Sequence, residues 1–395
     1  MSNKCVVLGV TGGIAAYKAL DIVSTLVKQD IDVRVIMTKA ATEFVTPLSF
    51  QSLSKNQVIV DMFDEPKSWE IQHISLAQRA DIMLIAPATA NIIGKVANGI
   101  ADDMLSTTIM ATKAPVVFAL AMNTNMYENK IVQNNIHKLK SFGYEFIEPA
   151  SGRLACGDIG KGKLEKVDTI CEEILSRLYD KKDLIGKKVL ITAGPTVSPI
   201  DPVRYITNNS SGKMGYAIAK EARDRGAEVT LISGPSSLEI PVGVDFVRVK
   251  TNEEMFKAVL SKFDDSDIVI KSAAVADYKA KNYSTEKIKK GDSGLVLELI
   301  RDNDILKNLG ERKRGQILVG FAAESNNLLE NAESKLKKKN LDYIVANDIT
   351  SRDTGFASDF NKVYIINAGG TVKSLDKMTK REVARELFDL INERR

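Results

Sequence analysis

Lys4-Cys-Val-Val-Leu-Gly-Val-Thr-Gly-Gly-Ile14 and Lys188-Val-Leu-Ile-Thr-Ala-Gly-Pro-Thr196 share one grammar: an apolar run of strand length ending in small residues. A strand that closes on a glycine corner and opens a helix exposes backbone N–H groups at the positive end of a helix dipole, where a phosphate is stabilised. The first corner, Thr11-Gly12-Gly13, leads into an amphipathic stretch that predicts a helix over 14–28. Two such starts in one chain imply two nucleotide- or flavin-binding domains. A tight turn whose glycines only adopt unusual backbone angles reads the same way at either corner.

Working outward, apolar runs at 6–10, 33–37, 82–86 and 116–120 have the length and β-branched content of buried parallel strands. The alternation with helical stretches is the βαβ pattern of a sheet covered on both faces. A glycine-rich segment, 151–163, lacks apolar periodicity and reads as a long mobile loop. A helix over 167–179 closes this half, and 181–187 reads as a linker. Beyond it come strands near 189–193, 229–233, 268–271, 317–321 and 343–346, with helices over 214–225, 253–263 and 324–338. Further strands are expected at 295–300 and as a hairpin of 362–367 and 371–374 turning at Gly369-Gly370. The fold class is α/β, two Rossmann-like parallel-sheet domains with boundaries 1–180 and 188–395.

At 395 residues the chain exceeds one ordinary core, which agrees with two domains of about 180–210 residues. A net charge of +4 is too small for a nucleic-acid-binding face and suits an anionic small-molecule substrate. Three cysteines (Cys5, Cys156, Cys171) without a CxxC pair make neither a disulfide framework nor a zinc site, which points to a reducing compartment. No apolar run approaches membrane-span length, so a soluble cytoplasmic protein is expected.

In the first half, Thr38 and the segment Ala86-Pro-Ala-Thr-Ala-Asn91 lie at C-terminal strand ends, where open α/β sheets bind ligands. His73, one of two histidines, sits in a polar stretch where it can move a proton near neutral pH, or be structural like the helical, solvated His137. Asn123 follows the 116–120 strand; its NH₂ can hold a carboxylate, or its turn can simply precede a helix. Cys156, on the glycine-rich segment, is open to react, unlike Cys5 inside a strand. In the second half, Ser211-Gly-Lys-Met-Gly215 fails the P-loop pattern, because Met214 replaces Ser or Thr and the earlier glycine is missing. It reads instead as a helix start holding a phosphate on the Ser210, Ser211 and Gly212 amides, or as a serine-capped helix with nothing bound. Lys287, Lys289 and Lys290 form either a solvated run or part of a cationic pocket with Lys335 and Lys339, which share a helix face. Converging cations would neutralise a triphosphate.

The stretch Gly9-Val-Thr-Gly-Gly-Ile-Ala-Ala-Tyr-Lys18, His73, the 86–91 segment, Met122-Asn123…Met126 and Ala155-Cys-Gly-Asp158 together resemble the flavin-containing cysteine decarboxylases. The second half resembles phosphopantothenate–cysteine ligase through Ile191-Thr-Ala-Gly-Pro-Thr196, Asp201-Pro-Val-Arg-Tyr-Ile-Thr-Asn208 and Ser210-Ser-Gly-Lys-Met-Gly215. Ala273-Ala-Val-Ala-Asp-Tyr278, Glu286-Lys-Ile-Lys-Lys290 and Gly320-Phe-Ala-Ala-Glu324 extend that match. The whole chain thus resembles the fused coenzyme A biosynthesis proteins, with a flavodoxin-like flavoprotein domain followed by a ligase domain.

That resemblance implies that His73 is the base when the substrate's cysteine thiol is oxidised at FMN. It implies that Asn123 holds the departing carboxylate and that Cys156, on a lid, donates a proton when the aminoenethiol is reduced. FMN contacts are implied for Gly12, Gly13, Thr38, Thr89, Asn91 and Ser106. In the ligase half CTP is the implied nucleotide, with Mg²⁺ on its phosphates. The carboxylate of 4′-phosphopantothenate attacks the α-phosphate, and cysteine then displaces CMP. Lys287 promotes acyl-cytidylate formation, Asn208 binds that intermediate, and Arg204 binds the substrate phosphate. Ala273, Asp277, Ile305, Phe321, Lys335 and Lys339, with Lys287, line the CTP site. The resemblance also implies homo-oligomers, through trimeric decarboxylase contacts with FMN at subunit boundaries and dimeric ligase contacts, together a dodecamer. Two departures stand out: Leu120 occupies the place of a usual proline before Met122, and Asp302-Asn-Asp-Ile305 replaces Asn-Pro-Asp-Ile. A nicotinamide oxidoreductase is disfavoured because neither corner has complete G-x-G-x-x-G spacing. A flavin-binding regulatory protein without turnover is the remaining alternative.

Overall fold

The computed structural model describes residues 4–63, 71–153, 157, 159–290, 294–324, 327–348 and 358–393. The chain divides into two compact units, Met1–Asp180 and Lys181–Arg395.

In the first unit, β1 (Cys5–Val10), β2 (Asp32–Met37), β3 (Ile82–Ala88), β4 (Val116–Leu120) and β5 (Glu145–Ile147) form one parallel sheet in the order β2-β1-β3-β4-β5. Every residue of β1 is buried, which is why its sequence is a continuous apolar run. Side chains alternate between faces: Val6, Leu8 and Val10 join one core, Cys5 and Val7 the other. On the first face lie α1 (Lys18–Val27), α2 (Lys39–Thr42) and α3 (Pro47–Ser54). The second core draws on α4 (Gln72–Arg79), α5 (Ala90–Ala97), α6 (Met104–Ala111) and, beyond the short α7 (Thr124–Glu128), α8 (Lys130–Ser141). Finally α9 (Val167–Arg177) packs Ile170, Cys171 and Ile174 into the first core. Each such aliphatic side chain contributes roughly 1.5–3 kcal/mol when fully buried. The strand order is the flavodoxin-like one, and it reverses direction between β1 and β3.

The glycine-rich segment differs from expectation. Instead of a structureless loop, β6 (Ala150–Arg153) and β7 (Ile159–Lys163) pair as an antiparallel hairpin. Its glycines hide the alternation that normally marks a strand.

The second unit contains β8 (Lys188–Ala193), β9 (Val197–Pro199), β10 (Tyr205–Thr207), β11 (Glu228–Ser233), β12 (Asp245–Arg248), β13 (Ile268–Lys271), β14 (Tyr278–Ala280), β15 (Leu299–Arg301), β16 (Ile317–Glu324), β17 (Tyr343–Asp348), β18 (Phe360–Asn367) and β19 (Val372–Thr379). The main sheet runs β12-β11-β8-β13-β16-β17-β18-β19, parallel except for the final hairpin. Its parallel part has the Rossmann order, with the switch between β8 and β13. The strands β9–β10 and β14–β15 form separate two-stranded ribbons, so the expected 295–300 strand is shorter and lies outside the main sheet. Helices α10 (Lys213–Asp224), α11 (Asn252–Phe263), α12 (Ile305–Arg312), α13 (Leu328–Lys338) and α14 (Lys380–Glu393) cover it. Within 181–187, Leu184 is fully buried in this unit's core and its N–H donates to the Arg225 carbonyl. Among the described residues no helix is long and apolar enough to cross a membrane.

Candidate active sites

At the first switch point the end of β1 is fastened to the end of β3. The buried Thr11 hydroxyl donates to the Pro87 carbonyl at 2.6 Å, and the Thr89 N–H donates back to Thr11 Oγ1 at 3.3 Å. Gly12 passes so close to Ala40 that a Cβ there would lie 2.5 Å from the Ala40 Cβ. Gly13 precedes a 3₁₀ turn, Ile14–Tyr17, that feeds α1, and no side chain caps its amides. Thr38 caps α2 by accepting the Ala41 N–H at 3.3 Å.

These residues border a cavity of about 930 Å³ whose walls include Gly12, Gly13, Thr38, Thr89, Asn91 and Asn123. Asn123 caps α7, its Oδ1 accepting the Asn125 N–H at 2.8 Å. The β6–β7 hairpin docks against this turn: the Met122 N–H donates to the Gly162 carbonyl at 2.9 Å, and a Cβ on Gly162 would sit 2.2 Å from the Met122 oxygen. Lys18, Lys39, Arg153 and Lys163 add positive charge to the rim, and sequence reading did not single them out for the site. Burial and neighbouring Lys163 lower the pKa of Lys18.

Two expected residues are not on these walls. Ser106 is fully buried, and its hydroxyl donates to the Asp103 carboxylate at 2.9 Å in the capping box of α6; Asp103 lines the cavity instead. His73 lies on α4, half-buried and away from the lining. Cys156 lies outside the described residues. The other thiols are inert: burial pushes Cys5 up to about 11 and Cys171 up to about 12.

At the second switch point Gly194 and Gly212, with φ of 70° and 82°, bring the end of β8 against the start of α10. Gly212 is the N-cap of α10 and supplies no side-chain cap to that helix, while its own N–H donates to Ser210 Oγ at 3.4 Å. A cavity of about 420 Å³ lies here, bordered by Asn208, Ser210, Gly212, Ala273, Asp277, Phe321, Lys335 and Lys339. Thr192 holds the opposite wall: its hydroxyl accepts the Ala273 N–H at 3.2 Å and its carbonyl accepts the Ser272 hydroxyl at 2.7 Å. Asn208 Nδ2 donates to the Ala274 carbonyl at 3.1 Å.

Ile305 is buried in the core, and its neighbour Leu306 faces the cavity. Lys287 and Arg204 are off the lining. Arg204 Nη1 donates to the Asp201 carboxylate at 2.6 Å and to the Ile288 carbonyl at 3.0 Å. The Asp201 carboxylate is fully buried and also accepts the N–H groups of Val203, Arg204 and Ile288. Burial alone would raise its pKa, but these donors hold it down at about 2. Sequence reading missed Lys271 and Lys380, which also border the cavity, as does Lys213 of the Ser210–Gly215 motif. Each missed lysine is far in sequence from the lysine run that drew attention, and an isolated lysine at an element's end carries no distinguishing pattern.

The Flavoprotein family matches residues 1–179, and the family described as the DNA/pantothenate metabolism flavoprotein C-terminal domain matches residues 184–394. A coenzyme A biosynthesis bifunctional protein CoaBC from Bacillus subtilis (strain 168) is 50% identical over 99% of this chain and 97% of its own length. The chain belongs to the CoaBC family. A CoaBC from Borreliella burgdorferi is 46% identical, over 98% of this chain and 99% of its own length. A crystal structure of the C-terminal domain of a CoaBC covers 53% of this chain and 96% of that domain, with 47% identity and a TM-score of 0.47. As a CoaBC family member the chain is a bifunctional coenzyme A biosynthesis protein whose flavoprotein domain precedes its DNA/pantothenate metabolism domain.

Proposed function

We propose that residues 1–180 decarboxylate 4′-phospho-N-pantothenoylcysteine to 4′-phosphopantetheine with FMN, and that residues 188–395 make that substrate from 4′-phosphopantothenate, cysteine and CTP. The observation that carries this reading is the pair of cavities, each at a topological switch point and each bordered by its own domain's motif residues.

A flavin fits the first cavity. Gly12 leaves room only for backbone, uncapped amides follow Gly13, and Ile14, Pro87, Met122 and Leu164 offer an apolar wall. FMN bound there would supply a reversible two-electron acceptor. The NH₂ of Asn123 binds the carboxylate that leaves as CO₂, since its Oδ1 is committed to the helix cap. His73 takes the thiol proton and Cys156 returns one. Because His73 is off the cavity of its own chain, we assign it to a neighbouring subunit's site, within trimeric contacts.

In the second domain the carboxylate of 4′-phosphopantothenate displaces pyrophosphate from CTP, and the amine of cysteine then displaces CMP. The first turn of α10 after Gly212 and the lysines of the cavity stabilise the anionic phosphates. Asp277 is the one carboxylate among the described lining residues, and no cluster of three metal-ligating side chains occurs among the described residues. In this reading Mg²⁺ arrives bound to the triphosphate. Lys287 promotes acyl-cytidylate formation, Asn208 binds that intermediate and Arg204 the substrate phosphate. Exposed Tyr205, Val296 and Leu299 on and beside the two small ribbons suit a dimeric ligase contact, and we take the protein to be a cytoplasmic homo-oligomer such as a dodecamer. The test is CMP release, expected only when CTP and 4′-phosphopantothenate are both present; release with CTP alone would argue against this ligase.

A further inference from the structure

Five lysines border the second cavity: Lys213, Lys271, Lys335, Lys339 and Lys380. They differ in their partners. Lys213 pairs with Asp359 at 2.7 Å and Lys339 with Asp304 at 2.9 Å, while Lys380 donates to the Ser358 carbonyl. Lys271 has no hydrogen-bond or ion-pair partner among the described residues. It ends β13, half-buried, and stands in register with Thr192 of β8 on one side and Gly320 of β16 on the other. That places it at the switch point itself, where open α/β sheets take their ligands.

The charged groups around it come from three elements. Lys335 and Lys339 lie on or beside α13, Asp304 is the N-cap of α12, and Asp277 follows β13. Burial, then the charge of Lys339, pushes the Lys271 ammonium down to about 8, and Asp277 and Asp304 do not restore it. A cation desolvated beside other cations, with its nearby carboxylates out of contact, is unfavourable as it stands. An incoming polyanion removes that penalty.

We propose that Lys271 is a phosphate-binding residue of the ligase cavity, donating to the triphosphate of the bound nucleotide. The proposal rests on the CTP reading above. Binding then draws the Lys271 proton back on. The sign follows: below about pH 8 the ammonium is already present, and above it each binding event must take up a proton. CTP affinity therefore falls roughly tenfold between pH 7 and pH 9. Lys380, also held at about 8 by burial and Lys213, is the group to separate from it.

The experiment is calorimetric titration of the full chain with CTP and Mg²⁺ at pH 7 and pH 9, for the wild type, Lys271→Met, Lys271→Arg and Lys380→Met. Lys271→Met is expected to weaken binding at pH 7 by about tenfold and to flatten the pH dependence. Lys271→Arg, which keeps its charge at both pH values, is expected to retain affinity and also flatten it. Lys380→Met is expected to leave most of the pH dependence in place. CTP binding by Lys271→Met within twofold of wild type at both pH values overturns the proposal. A wild type that binds no CTP overturns the nucleotide reading itself, and the proposal with it.

Discussion

A methyl group on Gly12 would sit 2.5 Å from the Ala40 Cβ and 2.9 Å from the Ala40 backbone carbon, so one of the two chains must move. Overpacking of this kind costs about 1–3 kcal/mol. Here it displaces the corner that borders the first cavity. Gly12→Ala is therefore expected to lower FMN retention about tenfold or more, read from the flavin absorbance that co-elutes with protein on gel filtration. Undiminished yellow colour would mean the corner does not meet the cofactor. The glycine was legible in the sequence because a corner between strand and helix has few chemical solutions. Lys271 was not, because Ile-Val-Ile-Lys reads as an ordinary strand end. Only the fold sets it among lysines 60 to 70 positions later in the chain.

Two short elements place the chemistry that the sheets do not. The β6–β7 hairpin is pinned to the Met122–Thr124 turn through glycines, since a Cβ on Gly162 would fall 2.2 Å from the Met122 oxygen. Gly162→Ala is expected to undock the hairpin and to lower decarboxylase turnover by at least tenfold, while amide formation by the other domain is unchanged. In the ligase domain, the buried Asp201 carboxylate clamps the chain at Ile288, between Lys287 and Lys289. Asp201→Asn weakens that clamp by removing the charge that Arg204 and three N–H groups share. The expected outcome is a loss in the rate of acyl-cytidylate formation of about tenfold with CTP affinity unaltered, measured by burst kinetics and equilibrium titration side by side. The central parallel strands were legible because burial on both faces makes continuous apolar runs, whereas the outer strands β5 and β12, less buried, were not. Elements built on glycine or on a single clamped carboxylate leave no periodicity, and 151–163 therefore read as a loop.

On the scale of the molecule, the two units carry separate cores and separate cavities. Each activity should fail alone. His73→Asn is expected to abolish decarboxylation and spare amide formation, with Lys287→Gln doing the reverse; loss of both activities from either change in a folded protein contradicts two sites. Stability should divide likewise. In the second unit the fully buried Arg225 joins Glu221, Asp183 and Asp389, linking the start of the unit to α10 and α14. Arg225→Met leaves the fully buried Glu221 with Arg381 as its remaining partner and is expected to cost that unit about 1–3 kcal/mol. Its unfolding transition should drop while the temperature of flavin release stays fixed. The parallel character of both sheets followed from the repeated strand–corner–helix grammar, whereas the strand order and the membership of each cavity, drawn from residues more than 100 positions apart, required the fold.

The most direct measurement is a single incubation of the flavin-loaded protein with 4′-phosphopantothenate, cysteine, CTP and Mg²⁺, followed by mass analysis. The expected products are CMP, pyrophosphate, CO₂ and 4′-phosphopantetheine, with 4′-phospho-N-pantothenoylcysteine accumulating when His73→Asn replaces the wild type. Recovery of unreacted 4′-phosphopantothenate and CTP from folded, yellow protein would contradict the assignment of both cavities.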